Sequence, residues 1–99
     1  IDDRVIRLSD ITLSSNDNKD RGIEFNWHDG TTTRTGFMGF DNDLERYVLY
    51  KYAIENDEVY SGTLGDFGMD TLYTETITSG TTGIIISPVE DLVLDPGNL

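Results

Sequence analysis

The residues with the most evident chemical potential lie in one stretch, RGIEFNWHDGTTTRTGFMGFD, at positions 21–41. It contains the chain's only tryptophan, Trp27, and its only histidine, His28, which is followed by Asp29. A Ser-His-Asp triad would require the fold to hold a serine and the carboxylate at hydrogen-bonding distance from the histidine. Neighbouring residues on a strand point to opposite faces, so His28 and Asp29 are poorly arranged for such a relay. We therefore interpret the pair as part of a turn.

Acidic loops suggest a second kind of chemistry, which is cation binding. The stretch NDNKDRG places Asn16, Asn18 and Asp20 at the first three ligand positions of an EF-hand loop. Its glycine comes one residue late, however, and the glutamate that closes such a loop is missing. Asn and Asp are also common in ordinary turns, where their side chains bond to nearby backbone amides. We predict solvated turns here, and no metal site.

Other catalytic motifs are absent from the sequence. It has no G-x-G-x-x-G, no P-loop and no H-E-x-x-H. The triplet at 66–68, DFG, lacks the glycine-rich loop, strand lysine and catalytic loop of a kinase. Without cysteine there is no thiol nucleophile or thiolate metal site. Paired carboxylates for glycoside hydrolysis stay open but carry no specificity among 19 acidic residues. We predict that the chain is not an enzyme and uses no cofactor.

The net charge is −12, from 19 acidic and 7 basic residues. Such a charge repels phosphate backbones and anionic lipid surfaces, so we predict no nucleic-acid partner. The longest apolar runs are far shorter than the roughly 20 residues of a membrane-spanning helix, so we predict no membrane insertion.

The elements that carry these residues read as strands. In IEFNW, apolar and polar residues alternate with the period of two that a half-buried strand requires. Asp-Gly in HDGT is a strong hairpin signal, and DNDLE and ENDE are further turns. The sequence therefore predicts an all-β fold, a small antiparallel meander with strands near 23–27, 32–40, 46–53 and 59–62.

The meander module is predicted to cover residues 16–66. Before it, residues 1–15 are predicted to be an entering β-segment with two strand-like stretches, RVIRL and ITL. After it, residues 67–99 are predicted to be an extended Thr/Gly-rich β-segment with apolar runs at 84–86 and 92–94. Only 36% of the residues are hydrophobic, so a thick core within one chain is difficult to build.

Aromatic residues of the meander allow two interpretations. They form its core or contacts between chains, or they form a platform on which sugar rings stack. The residues predicted as core or inter-chain contacts are Phe25, Trp27, Phe37, Phe40, Tyr47 and Tyr50. The residues predicted for the glycan alternative are Trp27, Tyr47 and Tyr50. Glycines at 22, 30, 36 and 39 are predicted to set the turns and to allow close packing of rings across the strands.

Three stretches, DNKDRGIEFNWHDG, TGFMGFD and NDEVYSGTLGD, together resemble a segment of phage virion proteins. That segment occurs in tail-fibre and related appendage proteins of cyanophages and other marine tailed phages. Met38 stands where that pattern usually has Phe, and Tyr60 stands for its last Phe. YAIEN, at 52–56, replaces a phrase such as IPDATN. The likeness covers residues 16–66, and the departures at Met38 and Tyr60 keep an apolar or aromatic side chain.

The resemblance implies a structural protein of the virion that acts by assembly and host attachment, with no catalytic residue carried over. It implies a homotrimer whose short β-segments intertwine around a shared axis, so that GIIIS and DLVLD bury their apolar residues against copies of themselves. Other partners would be tail, baseplate or capsid proteins. The alternative function is a glycan-binding receptor-recognition module, whose partner would be a host surface glycan.

Overall fold

The computed structural model describes residues 2–80 and 83–85. Within these residues the chain forms one four-stranded antiparallel sheet. Its strands are β1 (Arg21–His28), β2 (Thr33–Asp41), β3 (Arg46–Asn56) and β4 (Val59–Leu64), and they lie in sequence order across the sheet. The described residues contain no helix, and so none that could cross a membrane. The predicted all-β antiparallel meander is confirmed.

The chain divides into two compact units, Ile1–Gly68 and Met69–Leu99. The sheet belongs to the first unit. In the second unit, the described residues form no strand, and Tyr73 and Ile85 are 94% and 89% exposed. Of the predicted apolar runs, 84–86 is described only at 84 and 85, where no strand forms, and 92–94 lies outside the described residues. The extended β-segment of residues 67–99 therefore stays a prediction for the assembled state.

The residues before β1 differ from the prediction. Residues 2–20 form no strand, so the strands predicted in RVIRL and ITL are not formed in the single chain. Val5 and Ile11 are 70% and 69% exposed. A strand needs a neighbour for its backbone N–H and C=O groups, and no strand of the sheet pairs with this segment. An entering β-segment at 1–15 would need an edge supplied from elsewhere.

A β-bulge in β3 separates the sheet into two halves. β2 pairs with β3 only from Phe37↔Tyr50 to Asp41↔Arg46, and the register shifts between Tyr50 and Tyr52. Beyond the bulge, β3 pairs only with β4. A bulge bends its strand and increases its twist. The β3–β4 hairpin consequently folds back over one face of the sheet, where the Tyr60 ring stacks on Phe37 with centroids 3.8 Å apart.

The core lies on the face that this hairpin covers. Among the described residues its buried hydrophobic members are Phe37, Val48 and Tyr50, with Ala53 and Tyr60 packed against them. The Phe37 ring lies across the backbone of two paired glycines, Gly22 and Gly39. Close packing of aromatic rings against glycines was predicted, and here it allows Phe37 to be 2% exposed in a single sheet.

Replacing Gly39 with Ala is expected to lower the free energy of unfolding by about 1–3 kcal/mol, the usual cost of overpacking. An added Cβ would overlap the Arg21 carbonyl oxygen and would lie 2.6 Å from the Phe37 ring, so strand or ring must move. Gly68→Ala is the matched control, since a Cβ there meets nothing within 4 Å. Urea unfolding followed by circular dichroism measures both. Equal stability of the two variants would contradict the packing described.

Candidate functional site

The face of the sheet opposite the core, here called the outer face, is apolar and uncovered. Its centre consists of side chains from β1, β2 and β3 with Phe67, which follows β4. These are Ile23, Phe25, Met38, Leu49 and Phe67. Phe25 and Met38 are 46% and 48% exposed, and Phe67 is 63% exposed. Two shallow hollows of about 340 and 270 Å³ lie between these side chains.

One end of the outer face carries an aromatic and cationic cluster. The bulge turns Tyr52 toward this face, where it stacks on Trp27 with centroids 5.9 Å apart and rings 6° from parallel. The Trp27 Nε1–H donates a hydrogen bond to the Lys51 carbonyl, 2.9 Å away. The Arg34 guanidinium lies 4.7 Å from the Tyr52 ring centroid, in cation–π geometry. The cluster bridges the place where β2 and β3 separate.

Next to this cluster lies a groove of about 380 Å³ between the separated strands. Thr33, Arg34 and Thr35 line one side, and Tyr52 and Thr63 lie on the other. Hydroxyls, a guanidinium and one aromatic ring are groups that can bind a polar ligand. The groove is open to solvent, and the faces of Tyr52 are partly occupied by Trp27 and Arg34.

The three residues predicted for the glycan alternative do not form one platform. Trp27 pairs with Arg34 at one end of the β1–β2 ladder, whereas Tyr47 pairs with Phe40 at the other end. Six residues of strand separate these ends, which corresponds to roughly 20 Å. Tyr50 points to the opposite face and is 9% exposed. Tyr52, an aromatic residue of the meander that is not among these three, is the one that stacks on Trp27.

The predicted core residues also divide between the two faces. Phe37 and Tyr50 are in the core, while Phe25, Trp27, Phe40 and Tyr47 lie on the outer face. Tyr47 is 84% exposed, with its ring edge against Phe40 at 5.3 Å between centroids. Val48 is a core member that sequence reasoning missed, and Tyr60 was among the aromatic residues considered but not among those selected for the core. Alternation around Tyr50 would have indicated Val48, but nothing local indicated that the β3–β4 hairpin folds back.

His28 is the last residue of β1, and Asp29 follows it at the start of the turn to β2, so His28 flanks a turn as predicted. His28 is exposed, and its Nδ1 accepts a hydrogen bond from the Gly30 N–H at 3.0 Å. The Asp29 carboxylate accepts hydrogen bonds from the backbone N–H groups of Thr31 and Thr32 and from Arg34 Nε. The amide of Thr32, then Arg34 and the Thr31 amide, lower the pKa of Asp29 to about 2. Asp29 therefore acts as a structural anion at neutral pH.

The acidic loop before β1 is occupied by internal contacts. Asp17 forms two hydrogen bonds with the Arg21 guanidinium, at 2.7 and 2.6 Å, and these lower the pKa of Asp17 to about 2. The Asn16 Oδ1 accepts a hydrogen bond from the Asn18 N–H. Within residues 2–80 and 83–85, no group of three or more His, Cys, Asp or Glu side chains could hold a metal ion together.

A titration of the tyrosines is expected to show two that ionise late, Tyr50, whose pKa is raised by burial, and Tyr60. The hydrogen bond that the Tyr60 hydroxyl donates to Glu24 at 2.7 Å, and then burial, raise the pKa of Tyr60 to about 12. An unfolded tyrosine has a pKa near 10. The stabilisation from protonated Tyr60 is therefore complete below about pH 10 and is lost as pH rises through about 12.

The measurement is ¹³C NMR of labelled tyrosine rings from pH 8 to 12.5. Tyr60→Phe should remove the step near pH 12, and Glu24→Gln should move that step to lower pH. If the step keeps its pH in Glu24→Gln, the hydrogen bond to Glu24 is not its cause.

Comparison of the chain with protein families, with curated proteins and with solved structures found no match.

Proposed function

We propose that this chain is a structural module of a virion appendage, such as a phage tail fibre, and that it acts by assembly and host attachment, not by catalysis. The observation that supports this best is the imbalance between the two faces of the sheet. The described part of the chain buries only three hydrophobic residues, while the outer face exposes a comparable set. A module with so thin a core gains stability by packing against further chains.

The resemblance of residues 16–66 to tail-fibre segments supports the same function. Two positions that depart from that pattern, Met38 and Tyr60, keep structural roles. Met38 lies at the centre of the outer face, and Tyr60 lies in the core. The proposed assembly is a homotrimer, the proposed location is the virion, and the further partners are tail, baseplate or capsid proteins.

Two experiments test the proposal. Sedimentation equilibrium of the purified chain should give three times the monomer mass of 11.1 kDa, and a folded monomer at all concentrations would contradict the assembly. Immunogold labelling of phage particles that encode the chain should mark a tail appendage. Unlabelled particles, with the protein present in the lysate, would contradict the virion location.

The second candidate function is glycan recognition, which the groove beside Tyr52 favours. An immobilised panel of host polysaccharides should retain the chain, and Tyr52→Ala should abolish this retention. Tyr73→Ala is the control, because Tyr73 is 94% exposed and belongs to the second unit. Equal retention of both variants would show that the groove beside Tyr52 is not the glycan-binding site.

A further inference from the structure

Exposed apolar surface on the outer face is the feature that no other part of the fold explains. Ile23, Phe25, Met38 and Phe67 are each 46–63% exposed. A large side chain carries about 150–250 Å², so these residues leave roughly 400 Å² of apolar surface in contact with water. Contiguous patches of this size on a monomer are often interaction sites.

Charge on the sheet is divided unevenly between the two faces. The acidic residues of the strands all occupy register positions of the core face. They are Glu24, Asp41 and Glu55. The strand residues of the outer face include no Asp or Glu, although the chain has 19 of them. Asp66 lies at the rim of this face, on the same hollow as Lys51.

The outer face carries an arginine at each end and Lys51 beside its central hollow, near Asp66. Arg21 is paired with Asp17, and Arg34 is paired with Asp29. The face is therefore close to neutral within a chain of net charge −12. Copies of such a chain repel one another through most of their surface, and repulsion is weakest where acidic groups are absent. Of the two faces of the sheet, this is the one on which a second copy can approach without bringing carboxylates of the strands together.

We propose that the outer face is the contact between copies of this chain, packed outer face to outer face. Side chains of the facing sheets interdigitate across such a contact. Phe25 and Met38 would supply the centre of the contact, with Phe67 beside them. In a trimer, the three outer faces look toward the shared axis.

The exposed apolar area of the outer face is close to what a contact with a second copy of the chain requires. A specific interface buries about 800 Å² per partner, of which 56–65% is apolar, so it needs roughly 450–520 Å² of apolar surface from each partner. The centre of the outer face supplies most of that area, and the exposed Tyr47 extends it at one end. The inference rests on the proposed assembly and adds which surface forms it.

The first test replaces Met38 with Glu, which places a carboxylate at the centre of the contact. The variant is expected to sediment as a folded monomer, with its apparent association constant reduced at least 100-fold. Leu44→Glu is the matched control, because Leu44 is 49% exposed against 48% for Met38 but lies in the β2–β3 turn. Leu44→Glu should assemble like the unchanged chain.

The second test uses the absence of cysteine from the chain. Met38→Cys should give disulfide-linked dimers under mild oxidation, whereas Leu44→Cys should stay uncrosslinked. If the chain assembles and Met38→Glu assembles equally well, the outer face is not the contact, while the proposed function stands. If the unchanged chain is a monomer at every concentration, the proposed assembly and this contact both fail.

Discussion

Replacing Phe37 with Ala is expected to lower the free energy of unfolding by about 3–5 kcal/mol, the usual loss for a buried phenylalanine. Phe37 is 2% exposed, and its ring contacts Gly22 and Gly39 on one side and Tyr60 on the other. No side chain at the two glycines can move into the space that the ring leaves. The cavity therefore stays open, which puts the loss near the upper part of that range.

Such a loss is a large part of the stability of a small domain, which lies near the lower end of roughly 5–15 kcal/mol. The β3–β4 hairpin should detach first, because the stacked pair of Phe37 and Tyr60 holds it on the sheet. Thermal unfolding at fixed protein concentration, followed by near-ultraviolet circular dichroism, measures the loss. Tyr73→Ala is the control, since that aromatic side chain is 94% exposed. A loss below about 1 kcal/mol for Phe37→Ala would contradict a core centred on this ring.

Replacing Asp20 with Ala is expected to lower the free energy of unfolding by about 3–6 kcal/mol, since hydrogen bonds to charged groups contribute about 1.5–3 kcal/mol each. The Asp20 Oδ1 accepts a hydrogen bond from the Asn42 N–H at 2.9 Å, and its Oδ2 accepts one from the Tyr60 N–H at 2.7 Å. One carboxylate thus joins the β2–β3 turn to β4. The Asp20 N–H also donates to the Glu58 carbonyl at 2.9 Å.

Hydrogen exchange gives the specific readout for Asp20. In Asp20→Ala, the amides of Asn42 and Tyr60 should lose protection beyond the change in global stability, because their acceptor is gone. Asp20→Asn should restore one acceptor and recover part of the stability. Asp43→Ala is the control, because Asp43 is exposed and lies in the same β2–β3 turn as Asn42. This variant should leave both amides protected. Unchanged protection in Asp20→Ala would show that the carboxylate does not hold these elements together.

Local pattern was sufficient to predict the strands and their antiparallel order. Alternation in IEFNW and in RYVLYKYA reflects side chains that point to opposite faces, a property of the extended backbone itself. Turn-forming residues between the strands leave room only for short connections, so that successive strands become neighbours. The same alternation places Phe37 with Gly39 on one face and Gly36 with Met38 on the other, which agrees with the strand register.

The bulge in β3 is what the pattern could not predict. A strict period of two would place Tyr52 on the face of Val48 and Tyr50, whereas the register shift places it beside Trp27. An extra residue in one strand depends on the fit between two strands and on what each face packs against. The conformation of the turn at Asp57 and Glu58 was also not predictable from the pattern. Both residues have positive φ, 53° and 63°, although neither is a glycine.

The sequence by itself determined an all-β chain, its turns, its strong negative charge and the pairing of large rings with glycines, because these follow from residue types and short spacings. Tertiary structure decided which aromatic face is covered. Folding of the β3–β4 hairpin over Phe37 buries one face, and the other, with Phe25 and Met38, stays exposed. Long-range contacts such as Asp20 with Tyr60, 40 residues apart, make that choice, and local sequence does not encode them.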